Sequence, residues 1–256
     1  MIITSSAYTH VGNVRTNNED NFYIDGTYKK STSINILEYN HVKERKHHTY
    51  AICDGMGGEK SGEIAALRAV ETLLKYDKPN LDNSFDALVQ KINMLICNER
   101  TQTNQVVGST ISILVIKKST FSLCNLGDSR IYLFRGGSLT QLSKDHTKLQ
   151  QLRDAGFAVS GTSFDKMKHI LTQHLGIPSD DFVIEPYILK KQALFSGDYF
   201  LICSDGLTDM VDDSNILGIF SEFKNSPPNM ISSHLISLAL QNGGKDNVSV
   251  IVIKAI

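Results

Sequence analysis

The sequence predicts an α+β fold in which mainly antiparallel sheets are covered by helices. Three observations carry that expectation. Four short β-rich runs, at 110–116, 121–126, 130–134 and 139–142, are separated by short punctuation containing Lys-Lys-Ser, Gly-Asp-Ser and Gly-Gly-Ser, which reads as an antiparallel meander with tight turns. Two amphipathic helices follow one another directly between 61 and 96, instead of alternating with strands as βαβ units do. No internal repeat and no Pro-, Gly- or Ser-rich linker divides the 256 residues, so a single domain over 1–256 is expected.

Taken in order, residues 2–9 read as an opening strand, and 12–25 as a polar stretch with Arg15, Glu19 and Asp20 as its charged members. Residues 26–49 are polar and irregular apart from 34–37, and hold the mixed basic tract K-E-R-K-H-H at 43–48. A solvated hairpin loop is the expectation for that tract, with a histidine metal site or a partner-binding patch as the sharper readings. Residues 50–53 form an apolar run of the buried-strand kind, stopped by Asp54 and followed by Gly55, Gly57, Gly58 and Gly62. Ile64, Leu67, Val70 and Leu74 then recur at helical spacing, with Ser61 as N-cap and Glu63 in the first turn. Phe85, Leu88, Val89, Ile92, Leu95 and Ile96 mark the second helix, capped at Asp82 or Asn83. After the meander come a short helix at 145–156 and a loop at 157–169. Strands at 182–189 and 199–203, a polar helix from near Leu207, a helix after Pro227-Pro228 and a last strand at 248–253 complete the chain.

Composition narrows the function classes. Apolar residues make up 41% and charged residues 21%, and the net charge of -1 gives nucleic acid or anionic membrane no electrostatic purchase. Cys53, Cys97, Cys124 and Cys203 form no C-x-x-C, and three lie in apolar strand-like runs, as buried reduced thiols do. The first ten residues lack the pattern of a signal peptide, and no run reaches the roughly 18 apolar residues of a membrane span. A cytoplasmic protein is the default expectation.

The chemistry sits in acids at strand ends. An acid at the end of a rigid strand, followed by glycines, suits a metal or phosphate site, although by itself Asp54 could equally cap a turn. The pattern recurs at Asn18-Glu19-Asp20, Gly127-Asp128-Ser129, Ser204-Asp205-Gly206 with Asp209 one helical turn on, and Lys245-Asp246-Asn247. Each alone is weak, because Asp and Gly are common in turns. Gathered together, they would need cations to offset a burial cost of several kcal/mol per charge. The donors are hard oxygens, and none of the eight histidines has zinc-like spacing, which points to Mg²⁺ or Mn²⁺.

Seven elements in this order resemble the metal-dependent protein phosphatase family, also called protein phosphatase 2C, in its compact bacterial form. They are R-T-N-N-E-D (15–20), D-G-M-G-G (54–58), G-S-T (108–110), G-D-S-R (127–130), D-H-T (145–147), S-D-G-L-T-D (204–209) and G-G-K-D-N (243–247). The resemblance implies an α-β-β-α sandwich of two antiparallel β-sheets flanked by helix pairs, with a flap at about 145–170. It implies that Asp54 bridges two Mn²⁺ or Mg²⁺ ions, that Asp205 and Asp246 complete the first, and that Glu19 and the Gly55 carbonyl hold the second. Asp20 then orients metal-bound water from behind, Asp128 and Asp209 bind a third, weaker ion, and Arg15 binds the phosphoryl group. The implied activity is hydrolysis of phosphoserine and phosphothreonine in proteins by direct attack of a water bridging the two ions. The partners would be substrates of a cognate Ser/Thr kinase, met in signalling by a monomer. A catalytically inactive binding module of the same fold, or a phosphatase for a non-protein ester, are the alternatives. The resemblance departs at Met56, where eukaryotic relatives carry a histidine. His146 and His169 lie near the flap, but a structural or solvent-facing role is the expectation for both.

Overall fold

The computed structural model describes residues 2–43, 45–57, 61–103, 107–159, 164, 166–178 and 182–256. Gly58 of the D-G-M-G-G motif, Glu44 of the basic tract and residues 160–163 and 165 of the expected flap lie outside the described residues. In chain order the strands are β1 (Ile3–His10), β2 (Asn21–Ile24), β3 (Thr27–Tyr28), β4 (Ile36–Lys43), β5 (His47–Cys53) and β6 (Gly55–Gly57). The helices α1 (Gly62–Tyr76) and α2 (Phe85–Thr103) follow. Next come β7 (Val107–Ser109), β8 (Ile111–Lys117), β9 (Thr120–Leu126), β10 (Arg130–Arg135), β11 (Ser138–Gln141) and helix α3 (Lys148–Asp154). The chain ends with β12 (Tyr187–Ala193), β13 (Tyr199–Cys203), α4 (Asp205–Thr208), α5 (Asp213–Glu222), α6 (Pro228–Gln241) and β14 (Val248–Ala255).

The α-β-β-α sandwich is present. One six-stranded sheet has the order β11-β10-β13-β14-β1-β4, and the other β12-β9-β8-β5-β2-β3, with every pairing antiparallel. The apolar alternation of each strand supplies two faces. Ile52, Leu114 and Leu123 of the second sheet meet Ile131, Phe200, Ile251 and Ile253 of the first in a buried layer between the sheets. Phe121 and Phe200 make an edge-on contact across it at 4.8 Å between ring centres. The outer face of the second sheet packs on Ala65, Ala69, Val70 and Leu73 of α1 and on Leu88, Val89, Ile92 and Ile96 of α2. Arg68 Nε also donates to Glu99 Oε1 between those helices (2.9 Å). Ile216 and Phe220 of α5 and Ile231, Leu235 and Ile236 of α6 cover the first sheet.

Four expectations need correction. The meander is two hairpins in different sheets: β8 and β9 pair in one, β10 and β11 in the other, and the chain crosses at Gly127-Asp128-Ser129. The polar segment 26–49 holds all of β4, an edge strand that pairs with β1, and the start of β5. The basic tract therefore runs between strands of opposite sheets. Arg45 and Lys46 are exposed, as a solvated loop requires, but His48 is buried within β5. Finally, the polar helix near Leu207 is two helices, α4 and α5, and the strand expected at 182–189 begins only at Tyr187.

Strand register brings the acids to one end. Asn21 pairs with Cys53, so the preceding Asp20 and following Asp54 leave neighbouring strands side by side. Cys203 pairs with Val250, and Ser204 N donates to Ser249 O, which sets Asp205 near Asp246 at the start of β14. The crossover at 127–129 lies at the same end, because Leu126 pairs with Ile111 directly after Thr110.

Candidate metal centre

At that end a cavity of about 480 Å³ is lined by Arg15, Glu19, Asp54, Gly55, Asp128, Asp205 and Asp246. These come from five separate segments of the sequence. Each is held by hydrogen bonds of its own motif. Asp54 N donates to Thr110 Oγ1 (3.0 Å) and Thr110 N to Asp54 O (2.8 Å), while Thr110 Oγ1 meets Ser129 Oγ at 2.7 Å. Thr110 thus joins the Asp54 strand end to the crossover carrying Asp128. Asn247 makes the second junction. It accepts from Glu19 N at Oδ1 (2.8 Å), and Nδ2 donates to Val11 O and Asn17 O (both 2.9 Å). The loop bearing Arg15 and Glu19 is thereby fastened beside Asp246.

Glycine is required where backbone crowds these acids. A Cβ on Gly55 would lie 2.1 Å from the Gly62 carbonyl oxygen and 2.7 Å from that of Glu19. Gly12, at φ +84°, would place one 2.2 Å from the Asp246 carbonyl oxygen. Neither contact is tolerable for any side chain.

The electrostatics are those of a centre built around cations. Burial pushes Asp54 well above the ordinary carboxylate range, reinforced by the charges of Asp20, Asp205, Asp128 and Asp246. Burial, then Asp209, Asp246 and Asp20, raises Asp205 to about 7, and its carboxyl hydrogen-bonds that of Asp54. Asp128 is raised by burial and by Asp205, and Glu19 by burial and by Glu63. Acids that must share protons to coexist are a donor set matched to divalent cations, which would neutralise them with hard-oxygen coordination.

The remaining expected residues fall around this cavity. Asp20 does not line it. It is fully buried behind, where it accepts from Ser204 Oγ (2.8 Å), and burial raises it to about 6. Asp209 sits at the rim, its carboxylate oxygen within 4.8 Å of ligand atoms of Asp205 and His169. It also accepts from Lys168 Nζ (3.0 Å), so the segment after α3 touches the centre. Arg15 is half exposed, and its Nη2 donates to Asp246 Oδ2 (2.7 Å) instead of pairing with Glu19. His146 is structural: its Nδ1 accepts from Gly127 N (3.1 Å) at the crossover. His169 is solvent-exposed as expected, yet it also lines the cavity.

Three residues escaped the sequence reading. His174 lines the cavity, and its Nδ1 lies 3.0 Å from a Cβ built on Gly108, which would also meet Leu175 O at 2.8 Å and Met56 Cγ at 3.1 Å. A histidine ring thus stands beside the methionine, but 118 positions later in sequence (174 minus 56), where no spacing rule reaches it. Lys29 is buried with its Nζ donating to Asn18 O (2.5 Å). Burial lowers it to about 8 against the pull of Asp20, Glu63 and Glu19. A lysine in a polar loop gave no sign of this. Asn247 stood inside a quoted motif, but its bonds were invisible there.

Comparison with known proteins decides the family. The model of protein phosphatase 2C matches residues 10–152. The protein phosphatase PhpP of Streptococcus pneumoniae is 31% identical over 97% of this chain and 96% of its own length. The chain belongs to the protein phosphatase 2C family. It is also 33% identical to the serine/threonine protein phosphatase PstP of Mycobacterium tuberculosis, over 98% of this chain but 45% of PstP, so it spans less than half of that relative. Among solved structures, the Mycobacterium tuberculosis PstP/Ppp phosphatase superposes with a TM-score of 0.81 at 29% identity, covering 100% of this chain and 99% of that one. The PstP catalytic domain in complex with 2 manganese ions gives 0.78 at 30% identity, covering 99% of each. No helix among the described residues of this phosphatase 2C member is long and apolar enough to cross a membrane.

Proposed function

We propose that residues 1–256 act as one catalytic unit, a divalent-metal-dependent phosphatase for phosphoserine and phosphothreonine in proteins. The observation that carries this reading is the convergence of Glu19, Asp54, Asp205 and Asp246 on one cavity, where burial and neighbouring acids push the carboxyls of Glu19, Asp54 and Asp205 above the ordinary range. Asp54 would bridge two ions, with Asp205 and Asp246 on one and Glu19 and the Gly55 carbonyl on the other. Asp128 and Asp209 would take a third. The manganese of the PstP structure supports Mn²⁺ as the working ion, with Mg²⁺ as its hard-oxygen equivalent. When bound, two such ions supply Lewis acidity and an activated water for in-line attack on phosphorus.

The chain's own groups do the rest. Arg15, at the cavity mouth, offers a forked pair of donors to two phosphoryl oxygens, a geometry lysine lacks. Asp20, pinned by Ser204 behind the acids, would orient the attacking water. His174, on the cavity wall with Met56, would supply the proton to the leaving alkoxide. Lys168 and His169, on Asp209, place the flap next to the substrate. The completeness of the acid set argues against an inactive binding module. Cys53, Cys124 and Cys203 packed in strands suit a reducing cytoplasm, where substrates of a cognate Ser/Thr kinase would reach a monomer in signalling.

Hydrolysis of a phosphothreonine peptide tests the reading. Turnover should require Mn²⁺, stop with EDTA, and fall at least about 100-fold in Asp205→Asn. A folded, Mn²⁺-loaded protein that turns over neither peptide nor aryl phosphate is an inactive module. One that turns over only small esters is the non-protein phosphatase.

A further inference from the structure

The far end of the sandwich holds a second convergence of ligand-type side chains. Asp25 follows β2, His41 lies on β4 and His48 near the start of β5. His41 Nε2 lies 3.1 Å and His48 Nδ1 2.7 Å from the same oxygen, Asp25 Oδ2. All three side chains are at most 4% exposed, and their ligand atoms lie within 4.8 Å of one another. The place is remote from the acid cavity. Asp20 and Asp25 bracket β2, and Asp54 and His48 lie at opposite ends of β5, about 20 Å apart at 3.3 Å per residue.

We propose that Asp25, His41 and His48 bind one Zn²⁺-class cation that ties the two sheets together. Two imidazoles and a carboxylate are a borderline donor set, unlike the all-oxygen set at the other end. Asp25 and His41 have the outer contacts that metal ligands need. Thr49 N donates to Asp25 Oδ1 (2.8 Å), leaving Oδ2 for the ion, and the Tyr39 hydroxyl meets His41 Nδ1 at 3.2 Å, which orients Nε2 inward. Tetrahedral ligands at about 2.0 Å from zinc stand about 3.3 Å apart, close to the spacing already present.

The topology gives the ion a task. His41 belongs to the edge strand of one sheet, paired with Ser5 of β1, whereas Asp25 and His48 belong to the other sheet. An ion here would add a metal cross-link between the two sheets at this end, where the His41–Asp25 hydrogen bond already joins them. His48 also lines a cavity of about 580 Å³ with Arg45, Lys46 and Lys118, through which the ion and a coordinating water would enter. Arg45 Nη1 stands 3.7 Å from Asp25 Oδ2 and is half exposed, so it swings into solvent when the cation binds.

The test uses Zn²⁺ alone, on the full chain carrying Asp54→Asn and Asp205→Asn so that the acid cavity does not compete. One Zn²⁺ per chain is expected, with X-ray absorption showing two imidazoles at about 2.0 Å. His41→Gln and His48→Gln should each weaken binding at least about tenfold. In the otherwise unchanged chain, both should keep Mn²⁺-dependent turnover. Zinc scattering without imidazole, or affinity unchanged in both variants, overturns the site. The absorption spectrum of the parent decides alone if the variants do not fold.

Discussion

Asn247 shows how much of the centre rests on residues that carry no charge. Its amide satisfies Glu19 N, Val11 O and Asn17 O at once, and it is 5% exposed. Asn247→Ala removes three half-buried hydrogen bonds and should cost about 2–3 kcal/mol in urea unfolding. It should also weaken Mn²⁺ binding, because Glu19 loses its tether to Asp246. Wild-type Mn²⁺ affinity in that variant would separate Asn247 from the centre. Arg15 poses a different question. Its partner is Asp246, an exposed ion pair worth little by itself, so its value lies in what replaces that partner. Arg15→Lys keeps the charge and loses the fork. It should raise KM for a phosphopeptide about 10- to 100-fold, the worth of a charged hydrogen bond, with little change in folding stability.

At the scale of elements, the decisive feature is the crossover at 127–129. The turn Gly-Asp-Ser reads locally as a hairpin, and local reading fails because β9 and β10 leave it into different sheets. Gly127 sits at φ +109°, and a Cβ there would come 2.6 Å from Thr110 Cγ2. Thr110 in turn holds Asp54. Gly127→Ala should therefore destabilise the fold by about 1–3 kcal/mol and reduce Mn²⁺-dependent turnover together, read by urea melts and kinetics on one preparation. Loss of stability with full turnover would uncouple the turn from Asp54. The same limit on local reading applies to β4. Leu37, Tyr39 and His41 face inward while Ile36, Glu38, Asn40 and Val42 are exposed, a period of two with its polarity partly inverted. A histidine on the inner face and two aliphatics outside hide the strand from a hydrophobic pattern. By contrast, the helices α1 and α2 and strand β5 were legible, because burial on one face or on both leaves a clean apolar signature.

For the whole molecule, the acids were legible as motifs but their meeting was not. Acids at five strand ends or tight turns, three of them next to a glycine, marked which residues mattered. That they share one end followed from pairing register and from the family resemblance, since no local rule relates Glu19 to Asp246. The gathered charge has a measurable consequence. Asp20 at about 6 and Asp205 at about 7 lie above their unfolded values near 3.9, so the metal-free native state binds more protons than the unfolded chain across that range. Its stability should accordingly fall as pH rises from about 4 to about 7. Saturating Mn²⁺, by holding the carboxylates ionised, should remove that slope. Thermal melts in EDTA and in Mn²⁺ across this window check it, and parallel curves would mean that the acids are not the cation site. The most direct measurement of the central claim is anomalous diffraction at the manganese edge from crystals soaked in Mn²⁺. Two strong peaks are expected in the cavity, with an Asp54 oxygen on both, Asp205 and Asp246 on one and Glu19 on the other. Peaks that leave Asp54 uncoordinated, or an empty cavity in crystals of active protein, would contradict it.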